Sequence, residues 1–143
     1  MKQDPMAIHS RPARILVVDD ERHIARFLVY MLEREGYEVQ AVYDGEEALA
    51  AAEVFAPDAV LLDLLLPKLS GQEVLSRLRA NPKFAGLKIL MLTGCPVQEE
   101  ASDSVNGGAD AYCLKPIGPS VLIDLLRQHG LHSGCKTHCN LGG

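Results

Sequence analysis

Four short apolar runs each end in a polar group. Ile15-Leu16-Val17-Val18 gives way to Asp19-Asp20-Glu21, Ala59-Val60-Leu61-Leu62 to Asp63, Ile89-Leu90-Met91-Leu92 to Thr93-Gly94, and Ala111-Tyr112-Cys113-Leu114 to Lys115-Pro116. Unbroken apolar runs of this length suit parallel strands covered on both faces. They predict strands over 14–19, 59–63, 87–93 and 109–114. A further strand over 37–43 alternates and keeps several polar residues, which places it nearer a sheet edge. Between the strands the apolar spacing becomes helical. Ile24, Phe27, Leu28, Met31 and Leu32 mark a helix over 21–35, with Gly36 as its stop. An alanine-rich helix over 46–55 follows the turn Asp44-Gly45 and ends before Pro57. Val74, Leu75 and Leu78 mark a helix over 70–80, and Val121, Leu122, Leu125 and Leu126 one over 118–129. The segment 97–107 reads as a helix with a weak face, because Glu99, Glu100, Ser102, Asp103 and Ser104 leave little to bury.

Five strands alternating with five helices predict an α/β fold, a three-layer sandwich around a five-stranded parallel sheet. Right-handed crossovers restrict its topology. The strand order 2-1-3-4-5 brings the first, third, fourth and fifth strands together, and with them their polar ends. Carboxylates, a hydroxyl and an ammonium then share one crevice at the carboxyl ends of the strands, where such sheets carry their sites.

A chain of 143 residues fits one domain with a sound core. The net charge of −5, with basic residues scattered, argues against direct nucleic-acid binding. The polar start, with Pro5 and Pro12, has no apolar core of the signal-peptide type. No apolar stretch is long enough to span a bilayer. The chain therefore reads as soluble and cytoplasmic, with no membrane partner and with Cys95 and Cys113, which follow or lie in strand-like runs, reduced.

The chemistry follows from the strand ends. Asp19, Asp20 and Asp63 would be three carboxylates within a few ångströms, and two like charges at 4 Å cost about 4 kcal/mol at an effective dielectric of 20. Lys115 offsets one of them. The site therefore calls for a divalent cation, and an all-oxygen site suits Mg²⁺. No glycine-rich loop follows the first strand, which removes a nucleotide or flavin reading.

These residues, Asp19-Asp20, Asp63 with Pro67 and Gly71 after it, Thr93-Gly94, and Tyr112 with Lys115-Pro116, resemble the receiver domain of two-component response regulators. The resemblance covers about residues 14–129 and implies the flavodoxin-like version of the fold. It implies a domain over 13–130, between a flexible segment 1–12 and a disordered tail 131–143. It implies a phosphorylation-activated signalling switch rather than an enzyme, with Asp63 as the phosphoacceptor. Asp20, Asp63 and the backbone carbonyl of Leu65 would hold Mg²⁺, with Asp19 acting mostly through a water. Lys115 would pair with one phosphoryl oxygen and Thr93 with another. Gly94 would leave room for the group, and Pro116 would follow a cis peptide. Tyr112, otherwise an amphipathic strand residue, would turn inward as Thr93 moves. Gly71 is a backbone device where the loop meets its helix, and Glu21 a helix-start acid favoured by the dipole.

The implied partners are a sensor histidine kinase or histidine phosphotransfer protein, docking near the first helix, and an unknown downstream protein. The output face would comprise the helix 97–107, the fifth strand and the last helix, with a homodimer on phosphorylation as one use of it. The residues after His129 are too few to fold, so the chain reads as a stand-alone receiver or as the receiver piece of a longer protein. Two rivals stand beside this reading. One is a phosphorylation-independent, atypical receiver acting as a protein-binding module, which the intact acids, Thr93 and Lys115 oppose. The other is a Mg²⁺-dependent phosphatase of the haloacid-dehalogenase type, which lacks its second acid because Leu65 stands two residues after Asp63. Leu65 and Cys95, each two residues beyond a site residue, should border the phosphoryl group, and the apolar Leu65 predicts slow self-dephosphorylation. The tail residues His132, Cys135, His138 and Cys139 match no standard zinc spacing.

Overall fold

Alternate residues of a buried strand face opposite sides of its sheet, and here both sides are apolar. The computed structural model describes residues 11–94 and 108–133. It contains β1 (Arg14–Val18), α1 (Arg22–Arg34), β2 (Glu38–Val42), α2 (Gly45–Phe55), β3 (Ala59–Asp63), α3 (Gly71–Ala80), a short 3₁₀ turn (Pro82–Phe84), β4 (Lys88–Thr93), β5 (Ala111–Leu114) and α4 (Pro119–Gln128). The strands form one parallel sheet in the order β2-β1-β3-β4-β5. This is the α/β fold with the 2-1-3-4-5 order that the sequence predicts. The predicted helix 97–107, Cys95 and most of the Cys/His tail lie outside the described residues. Among the described residues, no helix is long and apolar enough to cross a membrane.

The two core layers separate by strand periodicity. Ile15, Val17, Leu61, Leu90 and Leu92 face α1 and α4, where Ala25, Leu28, Leu32, Leu122 and Leu126 meet them. Leu16, Val18, Val60, Leu62, Ile89 and Met91 face α2 and α3, where Ala48, Ala52, Val74, Leu75 and Leu78 meet them. β2 lies at the edge, and its exposed and half-buried residues alternate as an edge strand should.

Helix ends follow local chemistry. Asp44 caps α2 by accepting the Glu47 N–H at 2.8 Å, and Ser70 caps α3 by accepting the Glu73 N–H at 3.2 Å. Gly36 takes φ 101° just past the end of α1, as a glycine stop does.

Three expectations need correction. Phe27 is 50% exposed, since it lies at the margin of the α1 stripe and Ala25 takes the inner position. In α4, Val121 is 60% exposed and Ile123 is buried. With Val121, Leu122, Ile123, Leu125 and Leu126 all apolar, periodicity alone cannot set the rotation of that helix. The packed chain also runs past residue 130. Leu131 and Ser133 are buried, the Tyr37 hydroxyl donates to the Leu131 carbonyl at 2.8 Å, and the Ala13 N–H donates to the His132 carbonyl at 2.9 Å.

Two devices hold the loops at either end of the sheet. Arg79, at the end of α3, donates to the carbonyls of Gly108 and Leu87, each at 2.7 Å, and to Asp110 at 2.8 Å. Asp110 in turn accepts the Ile89 N–H at 2.8 Å, which ties the start of β4 to the approach to β5. At the other end, Gly71 packs against the end of β3. A Cβ there would stand 2.3 Å from the Asp63 carbonyl oxygen and 2.8 Å from the Leu64 Cα. Both are backbone atoms that cannot step aside cheaply. Gly71→Ala is therefore expected to lower stability by about 2 kcal/mol in urea unfolding; an unchanged midpoint would show that the β3–α3 loop yields.

Candidate functional site

The parallel register aligns the strand ends. Ile15 pairs with Ala59 and Val18 with Leu62, so the residue after β1, Asp19, comes beside Asp63. Asp63 faces Leu92 across the next pair, and Thr93 faces Leu114. One oxygen from each of Asp19, Asp20 and Asp63 lies within 4.8 Å of the others. Asp19 is fully buried, Asp63 is 6% exposed and Asp20 is open to solvent. The predicted acids thus converge, with one at the mouth and two inside.

Lys115 reaches into this cluster from the end of β5. Its Nζ donates to Asp19 Oδ2 at 2.9 Å and lies 3.5 Å from both Asp63 Oδ2 and Glu21 Oε1. Its backbone N–H donates to the Thr93 carbonyl at 2.7 Å, which continues the β4–β5 ladder by one step and sets where the side chain starts. The peptide between Lys115 and Pro116 is cis. Asp19 uses its second oxygen to accept the Glu21 N–H at 2.9 Å, and Asp63 Oδ1 accepts the Leu65 N–H at 3.4 Å.

Three carboxylates, Glu21 included, therefore share one ammonium, and Asp20 adds a fourth acid to the cluster. Burial pushes the Asp63 carboxyl above the usual carboxylate range, Lys115 pulls it back down, and the Asp19 charge raises it further. Burial also works against the Lys115 ammonium. Its hydrogen bond and charge contact with Asp19, together with Asp63 and Glu21, outweigh that cost and hold it above the ordinary lysine range. The remaining negative charge, the all-oxygen donor set and one solvent-facing acid fit a hard divalent cation better than a free anion.

The other predicted residues fall around this centre. Thr93 is buried at the end of β4, and Gly94 follows it with open space where a Cβ would stand. Leu65 is 72% exposed on the loop after Asp63 and brings no polar side chain to the mouth. Tyr112 lies on β5 opposite Met91 and packs with the α2–α3 side of the core. Its hydroxyl is buried without a hydrogen-bond partner among the described residues, and burial raises its pKa.

Glu21 is the residue that sequence reasoning undervalued. It is the N-cap of α1, yet its side chain makes no capping hydrogen bond and turns to Lys115 instead. Its place two residues after Asp19 was the available signal, because the Asp19–Glu21 turn brings the two acids to one side. Next to it, a groove of about 420 Å³ is lined by Ile24, Phe27, Leu28, Pro116 and Ile117, with Glu21 and Lys115 at its polar end.

Comparison with known proteins agrees with this geometry. The family model described as the response regulator receiver domain matches residues 15–127. The alkaline phosphatase synthesis transcriptional regulatory protein PhoP of Bacillus subtilis is 49% identical over 109 residues, 74% of this chain and 43% of that protein. The DNA-binding response regulator MtrA of Mycobacterium tuberculosis is 40% identical over 114 residues, 80% of this chain and 49% of that protein. The chain thus spans about half the length of the curated relatives it matches. Among solved structures, the chemotaxis response regulator CheY4 of Vibrio cholerae superposes with a TM-score of 0.77 at 31% identity, covering 82% of this chain and 98% of that one. The receiver domain of the sensor histidine kinase PA1611 from Pseudomonas aeruginosa, solved with a magnesium ion coordinated in its active site cleft, gives 0.75 at 30% identity, covering 83% and 98%. A match of this length, on a fold with this strand order, makes the chain a member of the response regulator receiver domain family.

Proposed function

We propose that this chain is a phosphorylation-activated switch in which Asp63 accepts a phosphoryl group from a phosphohistidine on a sensor kinase or phosphotransfer protein. The observation that carries this reading is the convergence of Asp19, Asp20 and Asp63 at the strand ends, with the Lys115 ammonium against Asp19 and Asp63. An Asp63 carboxylate oxygen attacks phosphorus, the P–N bond to the donor imidazole breaks, and the imidazole leaves with its electron pair and takes up a proton. Asp20, Asp63 and the Leu65 backbone carbonyl would hold Mg²⁺, with Asp19 acting mostly through a water. When bound, the ion supplies positive charge against the carboxylates and the transferring group.

The chain's own residues supply the rest. Lys115 neutralises one phosphoryl oxygen from a pocket that keeps it charged, and the Thr93 hydroxyl binds another. Gly94 leaves space at the point where the group must sit. Tyr112 is the switch residue. With its hydroxyl buried and without a hydrogen-bond partner among the described residues, the inward position carries a desolvation cost, so a modest change near Thr93 is enough to alter its population.

The apolar groove beside Lys115 suits the donor, since Ile24 and the half-exposed Phe27 offer surface next to the phosphoacceptor. The downstream protein would read β5 and α4, where Leu114 and Val121 are exposed, and a homodimer on phosphorylation would use the same face. We place the chain in the cytoplasm, where such donors work, and assign it no direct nucleic-acid contact.

Acetyl phosphate with Mg²⁺ tests the assignment by intact mass. The native protein should gain one phosphoryl group only when Mg²⁺ is present, and Asp63→Asn should gain none. A gain retained in the mutant would move the acceptor elsewhere. Leu65 brings no group that could orient a water on the acyl phosphate, so Leu65→Asn should lose its phosphoryl group several-fold faster than the native protein. Equal or slower loss would remove Leu65 from control of phosphate lifetime.

A further inference from the structure

Lys115 has three ammonium protons and three carboxylates within reach. Asp19, fully buried, takes the short contact at 2.9 Å, and its other oxygen is already held by the Glu21 N–H. Asp63 and Glu21 compete for the remaining protons from equal distances of 3.5 Å. An ammonium that closed onto Asp63 would occupy the lone pair that must attack phosphorus. Glu21 is not needed at the helix start, where its side chain makes no capping hydrogen bond, and it lines the groove together with Lys115.

We propose that Glu21 is a positioning residue for phosphorylation of Asp63: its carboxylate draws the Lys115 ammonium toward the groove and keeps it from closing onto the acceptor oxygen. The inference rests on the reading of Asp63 as phosphoacceptor. Asp19 anchors the ammonium, and Glu21 balances Asp63 so that the acceptor oxygen stays open. Being half-exposed, Glu21 is also the partner that Lys115 releases most easily once a phosphoryl oxygen arrives.

Glu21→Gln keeps the side-chain shape and removes the charge. With acetyl phosphate and Mg²⁺ the initial rate of phosphorylation should fall about threefold, the scale of one partly exposed ion pair. Simple relief of charge repulsion toward an anionic donor would instead raise the rate. In a Lys115→Gln background the same substitution should leave the rate unchanged or raise it, because no ammonium remains to be positioned. A second readout needs neither donor nor metal: the ¹⁵N resonance of the Lys115 ammonium should move in Glu21→Gln. An unmoved resonance, an unchanged or faster rate, or an equal fall in both backgrounds would overturn the proposal. A native protein that takes up no phosphoryl group would overturn the Asp63 reading, and this one with it. A moved resonance with an unchanged rate would overturn this one alone.

Discussion

The contact between the Lys115 ammonium and the buried Asp19 carboxylate is the interaction on which the site depends. Asp19 is fully buried, and a carboxylate buried without a partner is costly. Lys115 supplies the one positive charge found within ion-pair distance among the described residues, and the Glu21 N–H satisfies the second oxygen. That pair is then placed beside Asp63, whose carboxyl is already raised by burial. A site with more acid than base is costly for the fold. On the proposed reading the same excess of acid receives a cation and then a phosphoryl group, so the instability and the reactivity would have the same source.

The scaffold makes this possible by placing chemistry only where the apolar layers end. Every described residue of β1 after Arg14, and every residue of β3, is buried, so the strands cannot slide without exposing core or burying charge. Polar residues then appear in register at the same end of neighbouring strands. Gly71 lets the following loop lie against the Asp63 backbone with no side chain between them. At the opposite end, Arg79 and Asp110 join β4 to the chain entering β5. The strand that carries Lys115 is therefore positioned from its far end as well as by its ladder.

Much of this was legible in the sequence, for local reasons. Runs such as Ile15 to Val18 and Ala59 to Leu62 are too uniformly apolar to be anything but interior strands, and their polar ends mark the crevice. Asp19, Asp20, Asp63, Thr93 and Lys115 could be named because each immediately ends or follows such a run. What escaped was set by rotation or by distance. The α4 sequence is apolar on too many sides to say that Ile123, rather than Val121, turns inward. The contact from Tyr37 to Leu131 joins residues far apart in the chain, and no periodicity marks it. Glu21 looked like a helix-start acid because that role needs only local sequence. Its turn toward Lys115 needs the fifth strand in place.

Equilibrium urea unfolding across a Mg²⁺ titration at constant ionic strength, for the native protein and Asp20→Asn, tests the charge imbalance most directly. The unfolding midpoint of the native protein should rise as Mg²⁺ binds the folded state. Asp20→Asn should show a much smaller rise, having lost the acid that faces solvent. A native midpoint indifferent to Mg²⁺ would contradict the claim that this acidic cluster is built to receive a divalent cation.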